Sequence, residues 1–306
     1  MGSSASSGIG RRQNESGALR LLRAADVSHR RAQRIEAWHR TVSFLLAAGA
    51  LVTLAVPAAG TTVSLAGLVW ALLYAAWASQ WAGNEFHRAA VLQELFDTEM
   101  FGLPWNPLVA GAPPSAQEIS RLSRSFRGSD DRLRDYYEIG DLPSPWDVFA
   151  CQLQNLGWGS RIRRRYATVV AWVLVLWCAG GVGVGIVRDM SITSVLTDWF
   201  VPSLGLLLLG VDVYRSQRDT VTAREHAYAL LREQVERHAA AGAPAAELPA
   251  LLAWARQVQD VLLHTRLGQA RVPNWFFRRF LEADRADFAA DLADLRRRAA
   301  AGGAEE

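Results

Sequence analysis

Residues Thr41 to Asn84 read TVSFLLAAGALVTLAVPAAGTTVSLAGLVWALLYAAWASQWAGN, 44 consecutive positions without Asp, Glu, Lys or Arg. A bilayer core about 30 Å thick takes roughly 20 apolar helical residues, so this run is too long for one crossing and suits two. Near its middle stands Pro57-Ala58-Ala59-Gly60, where Pro removes a backbone donor and Gly admits tight-turn dihedrals. The stretch therefore predicts a helical hairpin, with one span over 41–57 and a second over 62–84. A cleaved leader peptide fits poorly, because the 40 residues in front are polar and Arg-rich and the apolar part runs straight on.

Tyr166 to Val187 is another charge-free run, 22 positions long, and predicts a third span. A fourth is expected over Ile192 to Val213. Asp198 interrupts it and Asp212 closes it, but Trp199 to Val211 is charge-free and the two carboxylates can sit in opposite headgroup regions. Of the 33 basic residues, all arginine, only Arg188 falls at either hairpin tip. Short Arg-rich loops stay on the cytoplasmic side during insertion. Both termini and the central loop are thus expected in the cytoplasm of a multi-pass membrane protein. Lysine-free, Ala- and Arg-rich usage suggests a GC-rich bacterial genome, so the membrane expected is the bacterial inner one. The divisions are 1–40 (N-terminal segment), 41–84 (first hairpin), 85–165 (central helical loop), 166–213 (second hairpin) and 214–306 (C-terminal helices).

The non-membrane parts also read as helix. Glu85 to Met100 keeps apolar residues at helical spacing and extends the second span, up to a stop at Gly102-Leu103-Pro104. Ser115-Ala116-Gln117-Glu118 is a capping box, and Ser144-Pro145-Trp146-Asp147 a second helix start. Later helices are expected over 215–241, over 248–268 and from Pro273 to about Ala301, with Phe277, Leu281, Phe288, Leu292 and Leu295 on one side. No strand pattern competes, so the expected class is all-α.

Chemistry is sparse. Against 33 basic residues stand 30 acidic ones, a net charge of +3 that is too small to argue for nucleic acid. There is no Gly-rich loop followed by Lys, no His-Glu-x-x-His and no Cys-x-x-Cys, so the sequence predicts no enzyme, no metal site and no bound cofactor. Cys151 and Cys178 read as buried small residues rather than a disulfide framework. Gly180-Gly181-Val182-Gly183-Val184-Gly185 lies inside the third span and predicts close helix packing through Gly181 and Gly185, which would also help subunits associate. Asp212 could line an ion path or pair with Arg215 or Arg218 at the interface. Arg161, Arg163, Arg164 and Arg165, with Trp158 and the Tyr136-Tyr137 pair, offer planar donors and stacking faces for a nucleotide. Arginines just before a membrane helix are equally what the insertion rule demands.

Several strings resemble the SMODS-associating four-transmembrane effector family, over about Leu21 to Phe280. They are Leu92-Gln93-Glu94-Leu95-Phe96-Asp97 with Phe101-Gly102-Leu103-Pro104-Trp105-Asn106, then Cys151-Gln152 with Asn155, Trp158 and the Arg161-to-Tyr166 run, and finally Arg266 with Val272-Pro273-Asn274-Trp275-Phe276. One departure is Gly159, where the family carries an acid. The resemblance implies a CBASS-like antiphage effector that a cyclic nucleotide from a partner nucleotidyltransferase triggers to open or disrupt the bilayer, ending growth of the infected cell. Because four mostly apolar spans line no aqueous path alone, a pore implies a homo-oligomer. A constitutive channel or transporter, or a membrane-anchored scaffold for a cytoplasmic partner, are the alternatives.

Overall fold

A computed structural model describes residues 8–53, 56, 58, 60–139, 142–240, 248–267 and 272–302. Side chains at some helical positions within these ranges, Leu281 and Leu295 included, are not described. Among the described residues the regular structure is helix, with no strand. In chain order the helices are α1 (Ile9–Arg12), α2 (Ser16–Thr53), α3 (Gly60–Leu73), α4 (Ser79–Phe101), α5 (Pro107–Ala110), α6 (Ala116–Arg124), α7 (Trp146–Val187), α8 (Ile192–Val195), α9 (Val201–Ala240), α10 (Leu248–Leu267) and α11 (Asn274–Gly302). Five-residue π segments at Tyr74–Ala78 and Leu196–Phe200 join α3 to α4 and α8 to α9 without a break.

Among the described residues three helices are long and apolar enough to cross a membrane: Gly60–Phe101, Trp146–Val187 and Ile192–His238. They correspond to the second, third and fourth expected spans. The first expected span lies on the C-terminal part of α2, a helix that begins at Ser16, so the polar residues in front of Thr41 are on the same helix as the apolar ones. Of the turn Pro57-Ala58-Ala59-Gly60, Pro57 and Ala59 lie outside the described residues, as do Gly242-Ala243-Pro244.

Local signals account for several helix ends. At the end of α4, Gly102 takes φ +65°, a conformation cheap only for a residue without Cβ, and Leu103 N–H donates to the Thr98 carbonyl at 3.0 Å. Ser115 Oγ accepts from Glu118 N–H at 3.2 Å and starts α6. The other half of the expected capping box is not made in the expected way, since the Glu118 carboxylate pairs with Arg88 at 2.8 Å. An ion pair distant in sequence has taken the group that local geometry would have used.

The chain divides into two compact units. A polar unit comprises the described residues up to His29, Phe86–Arg163 and the residues from Asp219 onward; an apolar unit comprises Arg30–Glu85 and Arg164–Arg218. Residues 30–40, expected in the N-terminal segment, thus group with the apolar unit. The polar unit has a packed core, with Leu92, Phe96, Tyr137, Phe149, Leu156, Leu231 and Leu262 among its buried members. The apolar unit instead exposes Leu68, Leu72, Trp172, Leu176, Ile186 and Leu208, a surface that suits lipid rather than water. Its interior is made by close approach. A Cβ placed on Gly181 would come within 2.6 Å of the Trp199 ring, one on Gly185 within 2.6 Å of Val195, and one on Gly210 within 2.6 Å of Leu174. The indole of Trp177 donates to Ser203 Oγ at 3.0 Å beside these contacts. Small residues and interhelical hydrogen bonds are what hold helices together where no hydrophobic driving force exists between them.

Candidate functional site

The residues that carry chemistry converge inside the polar unit. α4 places Glu94 and Asp97 one turn apart, and both carboxylates are buried. Against them α10 sets Arg256, Gln259 and Arg266. Arg266 Nη1 donates to Asp97 Oδ2 at 2.7 Å, and Gln259 Nε2 donates to Asp97 Oδ2 at 2.9 Å and to Glu94 Oε2 at 2.8 Å. Arg256 Nη2 bridges Glu94 Oε1 and Asp260 Oδ1, each at 2.7 Å. From the other side the Tyr137 hydroxyl donates to Asp97 Oδ1 at 2.5 Å and accepts from Asn155 Nδ2 at 2.8 Å. Gln152 Nε2 reaches the Ala255 carbonyl at 2.7 Å. The motif residues Asp97, Gln152 and Asn155 therefore share one network, and Asn106 reaches its rim through Asp260 at 3.1 Å.

Burial sets the electrostatics. It pushes the Glu94 carboxyl up, helped by the neighbouring charge of Asp97. It would by itself lower Arg266, but Asp97 above all holds that guanidinium protonated. The Tyr137 hydroxyl and the Cys151 thiol are both raised by burial and by Asp97 or Asp147 nearby, so Cys151 has no nucleophilic character. Trp105 lies outside the network and donates to the Gly111 carbonyl at 2.9 Å.

The expected nucleotide cluster is not brought together. Tyr137 is buried in the network, with 2 % exposure. Tyr136 lines a cavity of about 230 Å³ with Leu22, His29 and Gln93. Trp158 and Arg161 line a different cleft, of about 200 Å³, with Glu225, Tyr228, Phe288 and Asp291. Arg163, Arg164 and Arg165 line neither. Gly159 has a clear reason in this chain: a Cβ there would run into the guanidinium of Arg224. That guanidinium is buried and donates to Thr265 Oγ1 at 3.0 Å and to the Asn155 carbonyl at 3.2 Å. The absent acid and the buried base are thus one arrangement.

In the apolar unit, Asp212 lies within electrostatic reach of the Tyr74 hydroxyl, together with Glu36 and Arg40. The His39 ring stacks on Tyr74 with centroids 3.5 Å apart. These side chains come from α2, the Tyr74–Ala78 segment and α9, so polar groups collect at one level of the bundle. Gly181 and Gly185 are turned to their own hairpin, against Trp199 and Val195; their close approach is internal to the chain.

Sequence reasoning missed Glu94's partners Arg256 and Gln259, and it missed Arg224 and Asp260. Their signal was weak but present: charged and amide residues set among apolar ones on helices otherwise patterned for burial, such as Glu94 between Leu92 and Phe96.

Comparison with known proteins points the same way. No solved structure matches the chain. A protein of Bacillus cereus (strain VD146) described as a probable CBASS effector molecule is 28% identical over 154 residues. That alignment takes in 49% of this chain and 51% of the relative, so it spans about half of either. The family described as the SMODS-associating 4TM effector domain matches residues 7–295. That match runs through the buried network and the long apolar helices alike, and the chain belongs to this family of membrane effectors.

Proposed function

We propose that this protein is a membrane effector of a CBASS-type antiphage system, activated by a cyclic nucleotide from a partner nucleotidyltransferase, which then opens or disrupts the inner membrane as a homo-oligomer. The observation that carries the proposal is continuity. α2, the Gly60–Phe101 helix, α7 and the Ile192–His238 helix each belong in part to the polar unit and in part to the apolar unit. The residues of each unit are thus carried on helices that also supply the other. A messenger would act by binding the active packing more tightly than the resting one, since equal affinity shifts nothing. Family membership and the named relative support the same reading. The glycine contacts close the second hairpin on itself, which favours a path between subunits over one through a single chain. The arginine bias supports a cytoplasmic side for both termini, where a messenger would be found.

The test is dye release from liposomes carrying the purified full-length protein, titrated with cyclic mono-, di- and trinucleotides. Saturable release with one nucleotide and none with the rest is the expected result. Release without any nucleotide would indicate a constitutive channel. No release from protein shown to be folded and inserted would favour a scaffold or a separate sensor.

A further inference from the structure

The cleft between α7, α9 and α11 has a chemistry that neither the family match nor the membrane reading uses. Its floor is aromatic: Trp158 meets Phe288 edge to face, with centroids 5.9 Å apart at 81°, and the Tyr228 ring lies 3.5 Å from where a Cβ on Gly157 would stand. The Trp158 Nε1–H is buried and has no acceptor among the described residues. Such a donor is costly to leave unmet. Around it stand one cation, Arg161, and two carboxylates, Glu225 and Asp291. Asp291 Oδ2 accepts from the Tyr228 hydroxyl at 3.1 Å.

The volume, about 200 Å³, is below the roughly 300–1,000 Å³ of pockets that enclose a whole small molecule. The cleft therefore suits one part of a larger ligand. Two carboxylates against one guanidinium argue that this part is not a phosphate. What fits is a flat group that presents an acceptor to the indole N–H or Arg161 and adjacent N–H donors to a carboxylate. Guanine has both, an O6 acceptor beside N1–H and N2–H₂ donors on one edge. Adenine offers a single donor group on that edge. Uracil presents two carbonyl acceptors flanking one N–H, which carboxylates repel.

We propose that this cleft is the base-recognition site of the messenger and that it selects guanine. The proposal deepens the functional reading above and rests on it to the extent that a nucleotide acts on this chain.

Binding is measured directly, by calorimetry on the full-length protein in nanodiscs, with cyclic dinucleotides that carry two guanines, two adenines or two uracils. The guanine-containing probe should bind most tightly. Trp158→Phe keeps the ring and removes the N–H, and should weaken that probe by about 3- to 10-fold, the size of one neutral hydrogen bond. Asp291→Asn can still accept from Tyr228, and should weaken guanine by roughly 10- to 100-fold, the size of a hydrogen bond to a charged group, with adenine unchanged. Glu225→Gln is the parallel variant, and a guanine-only loss in either carboxylate variant supports the site. Equal binding of all three probes, or guanine binding that both carboxylate variants and Trp158→Phe leave intact, overturns it while leaving a messenger-gated effector in place. No binding of any probe overturns it as well; dye release that nevertheless follows addition of a separate sensor protein would then preserve the effector function.

Discussion

The two units solve the same problem, holding long helices together, by different physics. In the polar unit, helices are joined by buried charges that meet over large sequence distances, as Asp97 meets Arg266 and Glu94 meets Arg256. In the apolar unit they are joined by the absence of side chains, at Gly181, Gly185 and Gly210. The difference follows from the surroundings. Water rewards burial of apolar surface and leaves room to add a few costly, specific pairs. Lipid gives no such reward for apolar contact, so close packing must supply the attraction itself.

The largest test of this contrast is Asp97→Ala. It removes the 2.7 Å partner of the Arg266 guanidinium and leaves Glu94 at 4.0 Å in a site with 6 % exposure, and the expected loss is about 3 kcal/mol, seen as a lower thermal unfolding midpoint in detergent. Pairing Asp97→Leu with Arg266→Leu should recover most of that loss, because no charge is then left alone. A loss below about 1 kcal/mol in the single variant would mean that the polar unit is not held by its ion pairs. Next in size is Gly181→Ala, whose new methyl meets the Trp199 ring; a cost of about 1–3 kcal/mol is expected. Gly183→Ala is the matched control, with nothing within 4 Å of the added carbon. Equal behaviour of the two variants in an unfolding titration with sodium dodecyl sulfate would break the account of the apolar unit.

Two smaller effects sharpen the picture of the polar unit by showing where its stability does not reside. Ser115→Ala removes the cap of α6 and should lower stability by about 1 kcal/mol in the same thermal assay. Arg23 pairs with Asp130 at a site where the two side chains are 30% and 31% exposed. Exposed pairs contribute about 0–1 kcal/mol and are screened by salt. Arg23→Ala should therefore cost little stability, and its effect should vanish at high ionic strength; an effect as large as that of Asp97→Ala would place this pair in the structural core.

Much of the fold was legible in the sequence because its signals are local. The stop at Gly102 to Pro104, the start at Ser115 and the starts of α10 and α11 depend on a few adjacent residues, and each was read within one or two positions of where it lies. The charge-free runs were legible for the same reason. What a run does not show is which residues lie beside it. Glu36, His39 and Arg40 fall in a stretch that reads as polar, yet they group with the apolar unit and reach Tyr74. Gly181 and Gly185 announced close packing but not the partner, which turned out to be Trp199 and Val195 of the same hairpin. The site was legible only as membership of a set. Asp97, Gln152 and Asn155 were singled out by resemblance, but that Asp97 joins an arginine 169 positions away is a property of the folded chain. Of the expected nucleotide cluster, Trp158 and Arg161 share one cleft while Arg163 lies outside it, because residues five apart face different ways on one helix.

The length of α7 has a mechanical consequence. Its 42 residues run from Trp146 to Val187 with no proline among them, so an unbroken ladder of hydrogen bonds about 63 Å long behaves as a stiff shaft. Within the apolar unit that stiffness keeps Gly181 and Gly185 at a fixed heading toward Trp199 and Val195, where the contacts leave no room for a Cβ.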